Sequence, residues 1–108
     1  MSEAPASVPA AAPPERPRGL LRYADWLLPE IVGFQRVAYP HRRADLIEPR
    51  WRWMFLESAA RLDVEPWVWL YRTRDGVAAH QGAIPVRLQA AGGEFSTGWF
   101  VETMALES

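Results

Sequence analysis

The sequence of this 108-residue chain predicts an α+β fold in which two helices pack on an antiparallel β-meander. Three observations lead to this prediction. Three strand-like runs follow one another in the second half of the chain, at residues 67–73, 77–90 and 94–106. Short glycine-containing turns separate these runs, and two segments with apolar residues at helical spacing precede them.

The turns and the apolar residues define the meander further. Arg74-Asp75-Gly76 and Ala91-Gly92-Gly93 place glycine where tight hairpin turns need a positive φ. In the run 67–73 both faces are apolar, so we expect a central strand. Pro85 lacks an N–H, which predicts a bulge or an unpaired edge at that position. A short apolar run at residues 20–23 predicts an additional first strand.

The first helix is predicted around a stripe of apolar residues. Pro29 suits the first turn of a helix, where no N–H partner is required. Ile31, Phe34 and Ala38 follow at helical spacing, and Pro40 ends the segment.

The second helix is predicted to begin at Pro49, after a polar loop at residues 41–48. Trp51, Met54 and Phe55 then share its apolar face. Trp53 falls on a different face from Trp51, so the pair does not form a stacking surface for nucleic-acid bases.

Composition separates a tail from the domain and excludes several classes of function. Residues 1–19 hold five of the ten prolines and little apolar surface, so we expect a disordered tail before a domain at 20–108. With no cysteine and two histidines, the chain offers no metal site. A net charge of −1 gives no reason to expect nucleic acid or membrane as a partner. We expect a soluble, cytoplasmic protein.

The two hairpin strands carry a resemblance to a known family. Gly82-Ala83-Ile84-Pro85-Val86-Arg87-Leu88 and Trp99-Phe100-Val101-Glu102-Thr103-Met104-Ala105-Leu106 resemble the central hairpin of the GCN5-related N-acetyltransferases. Leu28-Pro29-Glu30-Ile31 and Pro49-Arg50-Trp51-Arg52-Trp53 begin the two helices in the order that this family uses. The resemblance covers roughly residues 20–106.

The resemblance implies the N-terminal half of an acyl-CoA N-acyltransferase fold. The family's pyrophosphate motif, an Arg or Gln followed after two residues by Gly-x-Gly or Gly-x-Ala, does not occur in the 108 residues. We therefore expect a fragment that is inactive alone. The implied reaction transfers an acetyl group from acetyl-CoA, the acyl donor, to a small-molecule or peptide amine.

The resemblance also implies site residues. Glu102 is the candidate catalytic base; it shares a strand face with Phe100, so we expect partial desolvation and a raised pKa. The alternative is a solvent-facing strand residue. Thr103, Met104 and Ala105 match the family's strand segment whose backbone pairs with the pantetheine arm, although an ordinary strand end has the same pattern. Trp53 is the candidate residue for acceptor binding.

A non-enzymatic function is the main alternative. The last strand, residues 94–106, would pair with another chain by β-augmentation, either a second copy or a chain that completes a split transferase. The sequence also predicts that His80 is a hydrogen-bonded strand histidine and that His41-Arg42-Arg43 is a solvated loop.

Overall fold

The computed structural model describes residues 16–106, which form one antiparallel sheet with helices on one of its faces. The sheet order is β1-β2-β3-β4, so the strands form the predicted meander and the α+β class is confirmed. The predicted disordered tail lies mostly outside the described residues. The strands are β1 (Gly19–Arg22), β2 (Trp67–Thr73), β3 (Gly76–Ala90) and β4 (Gly93–Ala105).

Both hairpin turns use the positive φ that the sequence predicts. Gly76 follows the first turn with φ +113°, and Ala91 and Gly92 form the second with φ +50° and +79°. The second pair of angles belongs to a two-residue turn whose twist matches that of the flanking strands. The hairpins therefore form where the sequence places them.

β2 is central, as predicted, because it pairs with β1 on one side and β3 on the other. Val68 and Leu70 are buried beneath the helices. The pairing of β3 with β2 ends at Ala83, which pairs with Trp67, the first residue of β2. β3 continues beyond this point, and Pro85 therefore lies where one side of the strand is open. The expected unpaired edge at Pro85 is confirmed.

The first helix also agrees with the sequence prediction. A 3-10 turn (Asp25–Leu27) leads into α1 (Leu28–Ala38), which buries Ile31 and Phe34. Leu27 in the 3-10 turn is fully buried as well, so the chain packs on the sheet before the α-helix begins.

The second helical segment begins earlier than predicted. α2 spans Ala44–Trp51, so the prediction of a loop over residues 41–48 is wrong for most of that range. Ile47 is 4% exposed and lies four residues before Trp51, which extends the buried stripe by one turn. Burial of this stripe outweighs the cost of Pro49, which lies inside the helix and lacks an N–H for the helical ladder.

The helix then changes type without a break. A π-helical segment (Arg52–Glu57) follows α2 and leads into α3 (Ser58–Arg61). The hydroxyl of Ser58 donates to the carbonyl of Met54 within this region. Trp51, Met54 and Phe55 are buried, as the predicted stripe requires. The buried core formed by helices and sheet comprises Leu27, Leu28, Ile31, Phe34, Trp51, Met54, Phe55, Val68, Leu70 and Val77.

Candidate functional site

An irregularity in β4 places Glu102 at the centre of the candidate site. His80 of β3 pairs with Met104 and Gly82 pairs with Val101, so β4 contains one more residue than β3 between these pairs. Glu102 lies within this extra length and has φ +62°. Positive φ is unfavourable for a residue with a Cβ, so surrounding contacts must hold it. Of the two outcomes predicted for Pro85, a bulge or an unpaired edge, the structure has the unpaired edge, and the bulge at Glu102 in the neighbouring strand was not predicted.

The side chain of His80 holds the backbone of this bulge. Its Nδ1 lies 2.9 Å from the carbonyl oxygen of Glu102, and the indole Nε1 of Trp51 donates to its Nε2 at 3.0 Å. Because an indole nitrogen only donates, Nε2 must be the unprotonated acceptor. Nδ1 therefore carries the proton and donates to the Glu102 carbonyl. The prediction of a hydrogen-bonded strand histidine is confirmed.

This arrangement keeps His80 neutral. The ring is buried, and burial lowers its pKa, which the backbone carbonyl of Glu102 only partly offsets. Protonation of Nε2 would also place two N–H groups against each other at the contact with Trp51. The neutral ring thus connects the buried end of α2 to the bulge in β4.

The carboxylate of Glu102 is bound by side chains of the helices. Arg42 donates to both carboxylate oxygens, at 2.9 and 3.0 Å, and Arg50 donates to one at 3.1 Å. The amide of Gln35 donates to the second oxygen at 3.3 Å. The Glu102 side chain is 6% exposed, whereas those of Arg42 and Arg50 are 30% and 44% exposed, so a buried carboxylate meets partly exposed guanidinium groups. Its partners come from α1, α2 and the loop between them.

The predicted rise in the pKa of Glu102 is wrong. Burial does favour the protonated form and by itself raises the pKa. The hydrogen bonds and positive charge of Arg42, assisted by Gln35 and Arg50, outweigh burial and lower the pKa to about 2. The face shared with Phe100 predicted the burial correctly but gave no information about the arginines.

Residues 41–43 form the predicted loop, but the expectation that it is solvated is wrong at Arg42, whose side chain is 30% exposed. Its guanidinium stacks on the ring of Tyr39 at 3.7 Å from the ring centroid and also donates to the side-chain oxygen of Gln35 at 2.9 Å. Arg43 behaves as predicted: it is exposed and pairs with Asp45.

The predicted pantetheine residues, Thr103, Met104 and Ala105, follow the bulge directly on the outer strand of the sheet. The N–H of Leu106 donates to the carbonyl of Ala78 in β3 at 2.8 Å. Because N–H groups alternate in direction along an antiparallel strand, Met104 also faces β3, whereas Thr103 and Ala105 face the open edge. Within the segment 103–105, two backbone N–H groups thus lie on the free side of β4.

Trp53 lies away from the bulge. Trp53 is 56% exposed, whereas Trp51 is 1% exposed, so the predicted assignment of the two tryptophans to different faces is confirmed. Trp53 borders a largely apolar cleft of about 320 Å³ between the helices and β3, which we name the Trp53 cleft. Its lining residues are Trp53, Met54, Ser58, Arg61, Leu62, Ile84, Pro85, Val86 and Arg87.

The structure therefore brings together four of the five predicted residues. Glu102 and residues 103–105 are consecutive on β4, whereas the Trp53 cleft lies beside the part of β3 that pairs with residues 96–99. Sequence analysis missed Gln35, Arg42 and Arg50 as partners of Glu102. Gln35 carried a signal, because it lies four residues after Ile31 on the buried stripe of α1, where a polar side chain requires a partner.

Comparisons with known proteins leave the family open. No family model matches this chain, and neither a curated protein nor a solved structure matches it. The resemblance to the GCN5-related N-acetyltransferases therefore stays a prediction from the residues. In the described part of the chain, no helix has the length and apolar character needed to cross a membrane. Over the same residues, no three metal-ligating side chains converge.

Proposed function

We propose that this chain supplies the acyl-donor strand of an acyl-CoA-dependent N-acyltransferase that transfers an acetyl group from acetyl-CoA to an amine. One observation carries the proposal: the bulge at Glu102 is followed on the open edge of the sheet by outward N–H groups at Thr103 and Ala105. The pantetheine arm of acetyl-CoA is an extended chain with two amide groups. Such a chain can pair with a free strand edge as a peptide does in β-augmentation.

The same edge supports the chemistry of acyl transfer. In this reaction the neutral amine attacks the thioester carbonyl, so that a C–N bond forms and the C–S bond breaks. The amine nitrogen loses one proton, and the coenzyme A thiolate gains one and leaves as a thiol. Negative charge develops on the carbonyl oxygen during attack, and an outward N–H near the bulge is suited to stabilise it. The strand geometry, rather than the side chains of residues 103–105, supplies this donor.

For Glu102 we propose positioning of the bulge rather than direct proton transfer. A general base works best when its pKa lies near the working pH, and the pKa of Glu102 is about 2. The Trp53 cleft is the proposed site for part of the acceptor, a small-molecule or peptide amine. The proposal includes the cytoplasmic location expected from the sequence.

Amide-resolved NMR titration tests this proposal with three ligands: acetyl-CoA, S-acetylpantetheine and adenosine 3′,5′-bisphosphate. We expect the first two to shift the amides of residues 103–105 at millimolar concentration. The nucleotide alone should not shift the amides of residues 103–105, because the chain has no phosphate-binding glycine motif. Shifts of these amides by the nucleotide alone, or no shift of them by S-acetylpantetheine, would contradict the proposal.

A pair of proline variants provides the matched control. Ala105→Pro removes an outward N–H close to the bulge, and Ser96→Pro removes one from the same edge at the far end of β4. The register predicts an outward N–H at Ser96 as well, since its neighbours at 95 and 97 face β3. Only Ala105→Pro should abolish the shifts. Thr103→Pro is unsuitable, because proline disfavours the positive φ of Glu102 before it.

A second candidate function is an interaction module that pairs through β4. The edge strand contains neither proline nor lysine, and Trp99 and Phe100 are 67% and 69% exposed. Long apolar edges of this kind template pairing with other chains. Light scattering after size-exclusion chromatography over a dilution series tests this function. Concentration-dependent dimers that Ser96→Pro converts to monomers would support it, and a monomer at all concentrations would exclude self-pairing.

A further inference from the structure

A second cavity lies beside the Glu102 ion pair, and three arginines contribute to its lining. It has a volume of about 190 Å³ and lies between α1 and α2, which we name the arginine cavity. Its size suits a small organic molecule or part of a larger one. The lining residues are Gln35, Arg42, Arg43, Leu46, Ile47 and Arg50.

The charges around this cavity do not cancel. Arg42 and Arg50 share the single carboxylate of Glu102, and Arg43 is paired with Asp45. One positive charge therefore remains at the cavity. A monovalent anion would neutralise it, whereas a phosphate dianion would leave an excess negative charge.

Arg50 is the residue best able to bind this anion. Arg42 uses both terminal nitrogens on Glu102 and Gln35 and stacks on Tyr39, so its geometry is fixed. Arg50 makes one contact with Glu102, through one nitrogen, and its side chain is 44% exposed. Its remaining N–H donors are suited to a planar, two-oxygen acceptor, because guanidinium and carboxylate groups pair through parallel hydrogen bonds.

The apolar part of the cavity indicates an organic ligand. Ile47 is buried and Leu46 is half-exposed, and both line the cavity beside the arginines. A short hydrocarbon chain attached to the anion would cover this surface, which free inorganic ions would leave in water.

We propose that the arginine cavity binds the carboxylate of a small organic acid, with Arg50 as its main ligand. Resting on the proposed acyl transfer, we infer further that this carboxylate belongs to the acceptor, which is then an amino-carboxylate. Glu102 joins the two functions: its carboxylate orients Arg42 and Arg50, and its backbone forms the bulge before the acyl-donor edge. An acceptor anchored on Arg50 thus lies beside the strand that carries the proposed donor site.

Titration of the full chain with sodium propionate tests the cavity without acetyl-CoA. At constant ionic strength, we expect saturable shifts of amides at residues 42–50 with millimolar affinity. Propylamine, of similar size and opposite charge, should cause none. Inorganic phosphate at pH 7.5 should bind more weakly than propionate. Equal or tighter binding of phosphate, or linear shifts spread over the surface, would overturn the carboxylate proposal.

Three arginine variants separate the site from general charge. Arg50→Gln should weaken propionate binding at least about tenfold, whereas Arg74→Gln, in the exposed turn between β2 and β3, should leave it unchanged. Arg50→Lys keeps the charge but loses the planar pair of donors, so intermediate affinity is expected. Circular dichroism checks that each variant is folded. Equal affinities of all three variants for propionate would overturn the assignment of Arg50. This assay contains no acyl donor. If propionate does not bind but S-acetylpantetheine still does, the carboxylate site is rejected and the proposed acyl-donor strand is not.

Discussion

The free energy of unfolding should depend on pH through Glu102 in a way that one substitution removes. The pKa of Glu102 falls from its usual 4.5 to about 2 in the folded chain. At about 1.4 kcal/mol per pKa unit, this difference corresponds to about 3.5 kcal/mol, which solvent screening at the partly exposed guanidinium groups of Arg42 and Arg50 reduces to about 3 kcal/mol. Because the folded-state pKa is depressed, this stability is present above pH 4.5 and is lost as the pH falls towards 2.

Glu102→Gln removes the titrating group but keeps the size of the side chain. We therefore expect the variant to be about 3 kcal/mol less stable than the parent chain at pH 7, with Arg42 left partly buried beside a neutral partner. The difference should shrink steadily below pH 4.5 and nearly vanish close to pH 2. Urea unfolding followed by tryptophan fluorescence at several pH values measures it.

A matched control defines what a surface ion pair contributes. Glu94 pairs with Arg87 at 3.7 Å, and both side chains are about half exposed. Glu94→Gln should change the free energy of unfolding at pH 7 by no more than about 1 kcal/mol. If the difference between the parent chain and Glu102→Gln stays constant from pH 7 to pH 2, the ion pair does not stabilise the fold as the structure indicates. If Glu102→Gln does not fold at all, Arg50→Gln takes its place in the measurement. Its free energy of unfolding at pH 7 should lie below that of the parent chain by less than expected for Glu102→Gln, and this difference should shrink over the same pH range.

Three further predictions address the buried histidine, the packing and the cofactor. Because the pKa of His80 is lowered in the folded chain, its neutral form stabilises the fold above about pH 6.5, and this stability declines at lower pH. In urea unfolding, the free energy of unfolding should therefore fall less between pH 7 and pH 5 in His80→Gln than in the parent chain. An equal fall in both proteins would contradict this. Gly82→Ala should lower the free energy of unfolding by about 1–3 kcal/mol, because the added Cβ would lie 2.4 Å from the ring of Phe55. The control Gly33→Ala in α1 adds a Cβ that meets no atom within 4 Å, and it should raise the free energy of unfolding by about 0.5–1 kcal/mol. Calorimetric titration of the full chain with acetyl-CoA should give a dissociation constant no tighter than about 1 mM; low micromolar binding, about −8 kcal/mol, would show that the missing glycine motif is unnecessary.

The strands were predictable because their determinants are local. Alternating apolar residues and glycine at the two turns depend only on neighbouring positions. The start of α2 was missed because Pro49 normally lies in the first turn of a helix, whereas here the burial of Ile47 continues the helix in front of it. Tertiary packing outweighed the local preference.

The site was less predictable because its contacts join distant parts of the chain. Arg42 and Glu102 are 60 positions apart, and no local pattern indicates that they meet. The pKa of Glu102 follows from that contact, so its direction could not be read from the strand alone. The bulge at Glu102 was likewise missed, because Glu102 carries no local signal and the residue that holds the bulge, His80, lies in the neighbouring strand. Proline does carry a local signal, and the open side of β3 at Pro85 was predicted from it.

The position of the pantetheine arm is the most direct test of the proposed function. Intermolecular nuclear Overhauser effects between S-acetylpantetheine and the isotope-labelled chain measure it at millimolar ligand. We predict contacts from the pantetheine methylene protons to the backbone of Thr103 and Ala105, with the acetyl group near Glu102. Contacts confined to the Trp53 cleft, or none at a ligand concentration that saturates the amide shifts, would contradict the assignment of β4 as the acyl-donor strand.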